Sequence, residues 1–306
     1  MNEISPPYPL WRVHGLMALA AILVSTSFVV GKSIAHGLDP AVLTLVRFLL
    51  AALLFAPYVA RRHSLRPPAW QTLRGYGAIS AVLVAFFWCM FASLRFTSAL
   101  NTSALFTLVP GVSGVYSAVL LRERLGLHRL LALLFGMVGA LWVIFRGDAG
   151  LLLALAFNKG DLLFLAGCLA MALYTPLVKF FYRGESMAVM TLWVLVTGCG
   201  WLLLLSAPRL PSIDWGEVAP MVWAGIAYLA VFSTIITFFL THFATPILGS
   251  TRVMAYSYFY PGLVLVLDWL LGRGLPPLMT LPGVVIVLMA TVVLQRGAAE
   301  PQILAG

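Results

Sequence analysis

Apolar runs of about 20 residues alternate with short polar connections along the whole chain. Each run is long enough to cross a hydrocarbon core of about 30 Å as an α-helix. The connections carry turn-forming or charged residues, as at 36–39 and 61–68. The pattern therefore predicts an all-α, polytopic integral membrane protein with ten transmembrane helices. These predicted spans are residues 13–35, 40–60, 72–93, 99–121, 127–145, 160–182, 187–207, 218–240, 247–271 and 280–296.

The composition supports the same class. The chain of 306 residues is 62% hydrophobic and only 9% charged, whereas a soluble domain is about 25% charged. So few charges could not cover a water-soluble surface of this size. The first run, 12–35, is too long for a signal peptide and is interpreted as the first span. The longest connection, about 146–159, contains the apolar stretch 151–157, which is either a surface helix or a hydrophobic linker.

Cationic residues predict the orientation of the spans. With a cytoplasmic N-terminus, eleven cations fall on the inner side and five on the outer side, which favours both termini inside. The inner cations are Arg12, Arg61, Arg62, Arg66, Arg74, Arg122, Arg124, Arg129, Lys179, Arg183 and Arg296. The outer ones are Arg95, Arg146, Lys159, Arg209 and Arg273. Because the cations lie in short loops, the net charge of +9 does not indicate nucleic-acid binding.

An internal repeat divides the chain into two halves. The segment 104–111 begins with Ala and ends in Pro-Gly, and the segment 255–262, 151 residues later, does the same. We therefore predict two five-helix repeats, 1–150 and 151–306. Because five is odd, the second repeat enters the membrane from the opposite side. Inverted repeats are typical of transporters that bind substrate near the midplane, between the repeats, and alternate its access to the two sides.

Several short motifs occur in an order typical of one transporter family. They are Ser27-Phe28-Val29-Val30-Gly31-Lys32, Arg47-Phe48, Pro110-Gly111, Arg122-Glu123-Arg124-Leu125, Gly160-Asp161-Leu162 and Tyr258-Phe259-Tyr260-Pro261. Over essentially its whole length the chain resembles the EamA-type, ten-helix branch of the drug/metabolite transporter superfamily. The resemblance implies export or exchange of small metabolites, commonly amino acids, across a bacterial inner membrane.

Aromatic and hydroxyl residues inside the spans are candidate substrate-binding residues. Trp88, Tyr174 and Tyr256 lie within apolar spans, where a tyrosine hydroxyl needs a hydrogen-bond partner that a polar cavity supplies. Tyr260 shares a helical face with Tyr256, and Ser257 lies beside them. The alternative is that such aromatics anchor the protein at the bilayer interface.

One proline lies near the end of each repeated segment, 104–111 and 255–262. Pro110 and Pro261 are expected to break the fourth and ninth helices, because proline frees a carbonyl one turn earlier.

Lys32, Arg47 and Asp268 are charged residues inside predicted spans. Lys32 either extends to the membrane interface or meets a substrate carboxylate; the family resemblance favours the second role. Arg47 is expected to pair with Asp39 or with backbone carbonyls and to hold helices in register rather than to contact substrate. Asp268 is a possible coupling residue for proton-driven transport, or else the partner of Arg273 in an ion pair at the helix end.

Other function classes find less support. The three cysteines lack metal-ligand spacing, and His36, His63, His128 and His242 do not form a catalytic or metal-binding motif. We therefore expect no enzymatic activity, no metal and no cofactor. The sequence predicts an alternating-access exporter or exchanger of small metabolites, most of all amino acids, including aromatic and hydrophobic ones. A multidrug or purine exporter of the same fold and an open pore are the alternatives. The expected partners are a small-molecule substrate and the lipid bilayer, with a monomer as the working expectation.

Overall fold

The computed structural model describes residues 9–63, 65, 67–122, 127–150, 157–248, 250–274 and 277–296. Over these residues the regular secondary structure is entirely helical. The all-α prediction is therefore confirmed. The apolar stretch at 151–156 lies outside the described residues.

The described residues form ten long helices in succession, three of them interrupted, and two short 3₁₀ helices at Leu210–Ser212 and Leu278–Thr280. Seven are continuous: α1 (Leu10–Ile34), α2 (Pro40–Arg62), α3 (Trp70–Ser93), α5 (Leu127–Ile144), α6 (Lys159–Phe181), α7 (Met187–Ser206) and α10 (Leu281–Arg296). Helix α4 consists of Ala99–Phe106 and Val109–Leu120. Helix α8 consists of Pro220–Ala230, a π-helical turn at Val231–Ile236, and Thr237–Leu248. Helix α9 consists of Ser250–Ala255, a 3₁₀ turn at Tyr256–Phe259, and Tyr260–Leu270.

The lengths of these helices fit a membrane. Within the described residues, eight are long and apolar enough to cross a bilayer. The two remaining helices coincide with shorter apolar segments: Leu134–Ile144 lies in α5, and Leu278–Ala290 begins in the 3₁₀ turn before α10. The predicted boundaries differ from the observed ones chiefly at α8, which continues to Leu248 instead of ending at residue 240.

Polar residues in the loops determine where several helices begin. At α2, Asp39 Oδ1 accepts a hydrogen bond from Ala41 N (2.9 Å), and Pro40 occupies the first turn, where its missing N–H is not needed. At α6, Asn158 and Asp161 form a reciprocal capping box. These caps place the helix starts close to the predicted positions.

The helix contacts show the relation between the two halves. Helix α2 packs on α7, and α5 packs on α10. Helix α3 packs on α6 and α7, and its counterpart α8 packs on α1 and α2. Each of these contacts is reproduced when every helix is exchanged with the helix five positions away. This pattern is that of two inverted five-helix repeats.

Successive connections meet at two opposite faces of the bundle. At the face that carries the start of α1, the N-terminal face, Tyr76 Oη donates to Glu185 Oε1 at 2.8 Å. At the other, distal face, Arg209 pairs with Asp39 at 2.9 Å. Each contact joins the first repeat to the second. The loops thus alternate between the faces as a ten-span topology requires.

Both prolines of the repeated segments follow a break in their helix. Pro110 lies in the first turn of the second piece of α4, and Pro261 in the first turn of the last piece of α9. Before Pro110 the chain makes a tight turn, in which Leu108 N donates to Leu105 O (3.0 Å). Before Pro261 the corresponding turn is the 3₁₀ segment Tyr256–Phe259. A proline lacks the N–H that would continue the helical bonding, so each break lies just before it.

Candidate functional site

Five aromatic rings from five helices meet between the repeats. This central aromatic cluster comprises Phe28 of α1, Phe86 of α3, Phe106 of α4, Phe164 of α6 and Tyr260 of α9. Its ring centroids lie 5.6 to 6.2 Å apart in tilted or edge-on arrangements, which are favourable for aromatic pairs. The cluster includes side chains of both repeats, so it lies where a substrate of an inverted-repeat transporter is expected.

The predicted residues of α9 lie on one turn but have different surroundings. Tyr260 contacts the rings of Phe28 and Phe106. The Tyr256 hydroxyl is hydrogen-bonded to His14 Nδ1 of α1 at 2.7 Å, and its ring lies 5.8 Å from that of Phe259. Ser257 is buried, and its Oγ has no hydrogen-bond partner among the described residues. The turn therefore combines one member of the cluster, one contact between the repeats and one unpaired hydroxyl.

Trp88 and Tyr174 are partly buried but do not join these rings. Tyr174 of α6 packs against the hydrophobic core. Trp88 of α3 precedes Cys89, which lies against Gly167 of α6. Among the described residues, no ring–ring pair joins Trp88 or Tyr174 to the central aromatic cluster.

Lys32 and Asp268 lie near the distal face, toward the ends of α1 and α9. Lys32 Nζ donates to Leu94 O at 2.7 Å. Asp268 Oδ1 pairs with Arg273 Nη1 at 3.1 Å, and Arg273 Nη2 donates to Ser33 Oγ at 2.7 Å. The ion pair that the sequence allowed is therefore present. Both predicted residues belong to a polar group at the ends of α1 and α9.

A second polar group surrounds the π-helical turn of α8, and sequence reasoning did not foresee it. Arg47 donates through Nε and Nη2 to Thr234 Oγ1 at 3.1 and 2.9 Å. Ser233 Oγ donates to Leu23 O at 3.0 Å. The hydroxyls of Thr26 and Tyr228 are 2.8 Å apart. All three contacts join the first repeat to α8.

The expected pairing of Arg47 with Asp39 or backbone carbonyls is wrong. Asp39 pairs instead with Arg209, and the partner of Arg47 is the Thr234 hydroxyl. The one available signal was the presence of three hydroxyl residues, Ser233, Thr234 and Thr237, inside an apolar helix.

A buried carboxylate was also missed. Asp161 is 2% exposed and accepts hydrogen bonds from Thr97 Oγ1 and from Asn101 Nδ2. It further accepts from Asn158 N at 3.3 Å. This network joins α4 and its preceding loop to the start of α6, across the boundary between the repeats. The spacing of Asn158 and Asp161, three residues apart before an apolar run, was the signal that could have revealed it.

The helical fold, the inverted packing and the lengths of the apolar helices define a membrane protein built from two inverted repeats. Known proteins agree. The model of the EamA-like transporter family matches the chain twice, over residues 11–145 and 158–296. The chain belongs to this family, which confirms the resemblance seen in the sequence.

Similar proteins carry names that indicate transport without a substrate. The chain is 21% identical over 198 residues to "Uncharacterized transporter YyaM" of Bacillus subtilis, covering 65% of this chain and 65% of that relative. The matched region therefore spans less than two thirds of the length of YyaM. The chain is also 24% identical to an "Uncharacterized transporter" of Archaeoglobus fulgidus, covering 82% of this chain and 86% of that relative. A solved structure described as "Crystal structure of protein" aligns over 93% of this chain and 98% of its own, with a TM-score of 0.67 and 20% identity. It supports the fold.

Proposed function

We propose that the protein exports or exchanges small metabolites, foremost amino acids with aromatic or hydrophobic side chains, by alternating access. The observation that carries the proposal is the central aromatic cluster, which both repeats build at their boundary. An apolar, aromatic surface suits the side chain of such a substrate. Hydroxyl groups nearby, among them the unpaired Ser257 Oγ, suit its polar end.

Contacts between the repeats at both faces support alternating access. The distal face has the Asp39–Arg209 ion pair, and the N-terminal face has the Tyr76–Glu185 hydrogen bond. The Asp39–Arg209 pair is partly exposed to water and costs little to break. The Tyr76–Glu185 bond joins a buried tyrosine to the other repeat and is a single hydrogen bond. Opening one face while the other stays joined would expose the cluster to one side of the membrane at a time. We place the protein in a bacterial inner membrane with both termini cytoplasmic.

Counterflow in liposomes tests the transport activity. Purified protein is reconstituted, the vesicles are preloaded with unlabelled L-phenylalanine, and uptake of labelled L-phenylalanine is followed. A carrier gives faster uptake into preloaded vesicles than into empty ones. Equal uptake into both would indicate an open pore and contradict the proposal. A parallel panel of other amino acids, adenine and a lipophilic cation distinguishes amino-acid transport from purine or multidrug export.

A matched pair of variants tests the cluster itself. Phe106→Ala removes a ring of the cluster, whereas Phe180→Ala removes an exposed ring of α6. We expect Phe106→Ala to lower counterflow at least tenfold and Phe180→Ala to leave it within about twofold, because loss of one buried aromatic contact removes about 0.5–1.5 kcal/mol beyond its burial. Equal activity of the two variants would show that the cluster is not the site.

A further inference from the structure

A buried arginine at the boundary of the repeats has no carboxylate partner among the described residues. Arg47 is 1% exposed. Its Nε and Nη2 share the single hydroxyl oxygen of Thr234, and its Nη1 is buried without a hydrogen-bond partner among the described residues. The guanidinium carbon lies 4.4 Å from the centre of the Phe87 ring. All of its contacts are therefore with neutral groups.

Three carboxylates that lie within spans or at their ends have partners other than Arg47. Asp39 pairs with Arg209 and Asp268 pairs with Arg273. Asp161 accepts hydrogen bonds from uncharged side chains. Because arginine stays protonated in proteins, Arg47 keeps its positive charge in this apolar position. An unpaired charge inside a membrane protein is costly to hold, and such residues characteristically lie on substrate or ion pathways.

Arg47 is also close to the proposed site. The Phe87 ring beneath its guanidinium lies 5.0 Å from the Phe86 ring, a member of the central aromatic cluster. Only one ring therefore separates the charge from the cluster. Helix α2 thus contributes a cation beside the central aromatic cluster.

We infer that Arg47 is the anion-binding group of the transport pathway and that it takes the carboxylate of a small substrate whose apolar part packs on the central aromatic cluster. This inference rests on the proposed transport function and names the chemistry by which the site selects its substrate. A guanidinium matches a carboxylate with two parallel hydrogen bonds. Nη1 offers one of them directly, and Nη2 supplies the other when it leaves Thr234. Movement of α8 relative to α2 would make both nitrogen atoms, Nη1 and Nη2, accessible to the substrate carboxylate.

The competing role is purely structural, with Arg47 holding the π-helical turn of α8 in place. The two roles predict different effects of replacing Arg47 on the stability of the unliganded protein. If Arg47 is a structural clamp, Arg47→Met should lower the stability of the unliganded protein. If Arg47 is an anion-binding group, Arg47→Met should not lower that stability, because an apolar chain of similar length replaces an unpaired buried charge. Thr234→Val is the matched variant that removes the clamp and keeps the charge.

The experiment combines thermal unfolding with counterflow, using L-phenylalanine and 2-phenylethylamine, which has the same ring and no carboxylate. We expect L-phenylalanine, but not the amine, to raise the Tm of the wild-type protein. Arg47→Met should lose this rise and about 10- to 100-fold of the counterflow, as expected for loss of a hydrogen bond to a charged group, while its unliganded Tm does not fall. Arg47→Lys should keep part of the rise, and Thr234→Val should keep it.

Four results separate this inference from the proposed function. Counterflow of L-phenylalanine by Arg47→Met within twofold of wild type would overturn the inference and leave amino-acid transport standing. A lower unliganded Tm of Arg47→Met with an intact ligand-induced rise would assign the structural role instead. Transport of phenylacetate that requires Arg47, without amino-acid transport, would support the inference and contradict the proposed substrate. Wild-type transport of 2-phenylethylamine but of no carboxylate-bearing solute would overturn both.

Discussion

Gly139 of α5 and Gly283 of α10 lie against each other's backbone carbonyl. A Cβ atom added to Gly139 would lie 2.8 Å from Gly283 O, and one added to Gly283 would lie 2.7 Å from Gly139 O. The contact is nearly reciprocal, as expected where a two-fold axis passes between equivalent helices. The absence of a side chain at both positions allows the two backbones to approach this closely.

The first prediction follows from this contact. Gly139→Ala places a methyl group against the α10 backbone, and the helices must separate. We expect a loss of about 1–3 kcal/mol in the free energy of unfolding, the usual range for overpacking, measured by thermal or denaturant unfolding in detergent.

The control for this prediction is Gly200→Ala, since nothing lies within 4 Å of a Cβ added to Gly200. We expect no loss of stability there, because alanine favours the helix over glycine by about 1 kcal/mol. Adding Gly283→Ala to Gly139→Ala should cost less than Gly283→Ala alone, since the two positions share one contact. Equal stability of Gly139→Ala and Gly200→Ala would contradict the close approach of α5 and α10.

The second prediction concerns the hydrogen bond between His14 and Tyr256, 2.7 Å long, which joins α1 to α9. A double-mutant cycle of His14→Phe and Tyr256→Phe should give a coupling energy of about 0.6 kcal/mol, and at most about 1.7, as for other hydrogen bonds between membrane helices. Unfolding in detergent measures it. His36→Phe, on an exposed histidine at the distal face, combined with Tyr256→Phe should give a coupling near zero. Coupling of similar size in both cycles would argue against the bond.

The fold was accessible from the sequence because one physical quantity determines it. The length of each apolar run must match the bilayer, so run lengths predict the spans without knowledge of their packing. Local interruptions depend on more than length. Pro110 and Pro261 predict the breaks in α4 and α9. The π-helical turn at Val231–Ile236 contains no proline, and its contacts with α1 and α2 join residues far apart in the sequence.

The site was less accessible, because its contacts join residues far apart in the chain. Tyr260 was identified by its type and position, but its neighbours Phe28 and Phe106 resemble any other core phenylalanine in the sequence. The expectation that Arg47 pairs with Asp39 failed for a geometric reason. Eight residues correspond to about 12 Å along a helix, which exceeds the reach of the two side chains. The contact with Thr234 depends on the packing of the two repeats.

The third prediction tests movement at the distal face, where Asp39 and Arg209 pair. The double variant Asp39→Cys/Arg209→Cys is joined with a short methanethiosulfonate cross-linker that dithiothreitol cleaves. If this face opens during transport, the cross-linked protein should lose nearly all counterflow, and reduction should restore it. The single variants, treated with the same reagent, serve as controls and should remain active, because an exposed ion pair contributes only about 0–1 kcal/mol. Full activity of a demonstrably cross-linked sample would contradict opening at this face.

The fourth prediction concerns orientation, which the unequal distribution of cations between the two sides predicts. Leu65 lies in the connection after α2, and Ser212 lies in the connection after α7; both are exposed. We expect a membrane-impermeant maleimide added to whole cells to label Ser212→Cys but not Leu65→Cys, and permeabilised cells to show labelling of both. The native cysteines should give little background, because all three are buried. The reverse pattern would place the termini outside, and labelling of both positions in intact cells would contradict the alternation of the loops between the two faces.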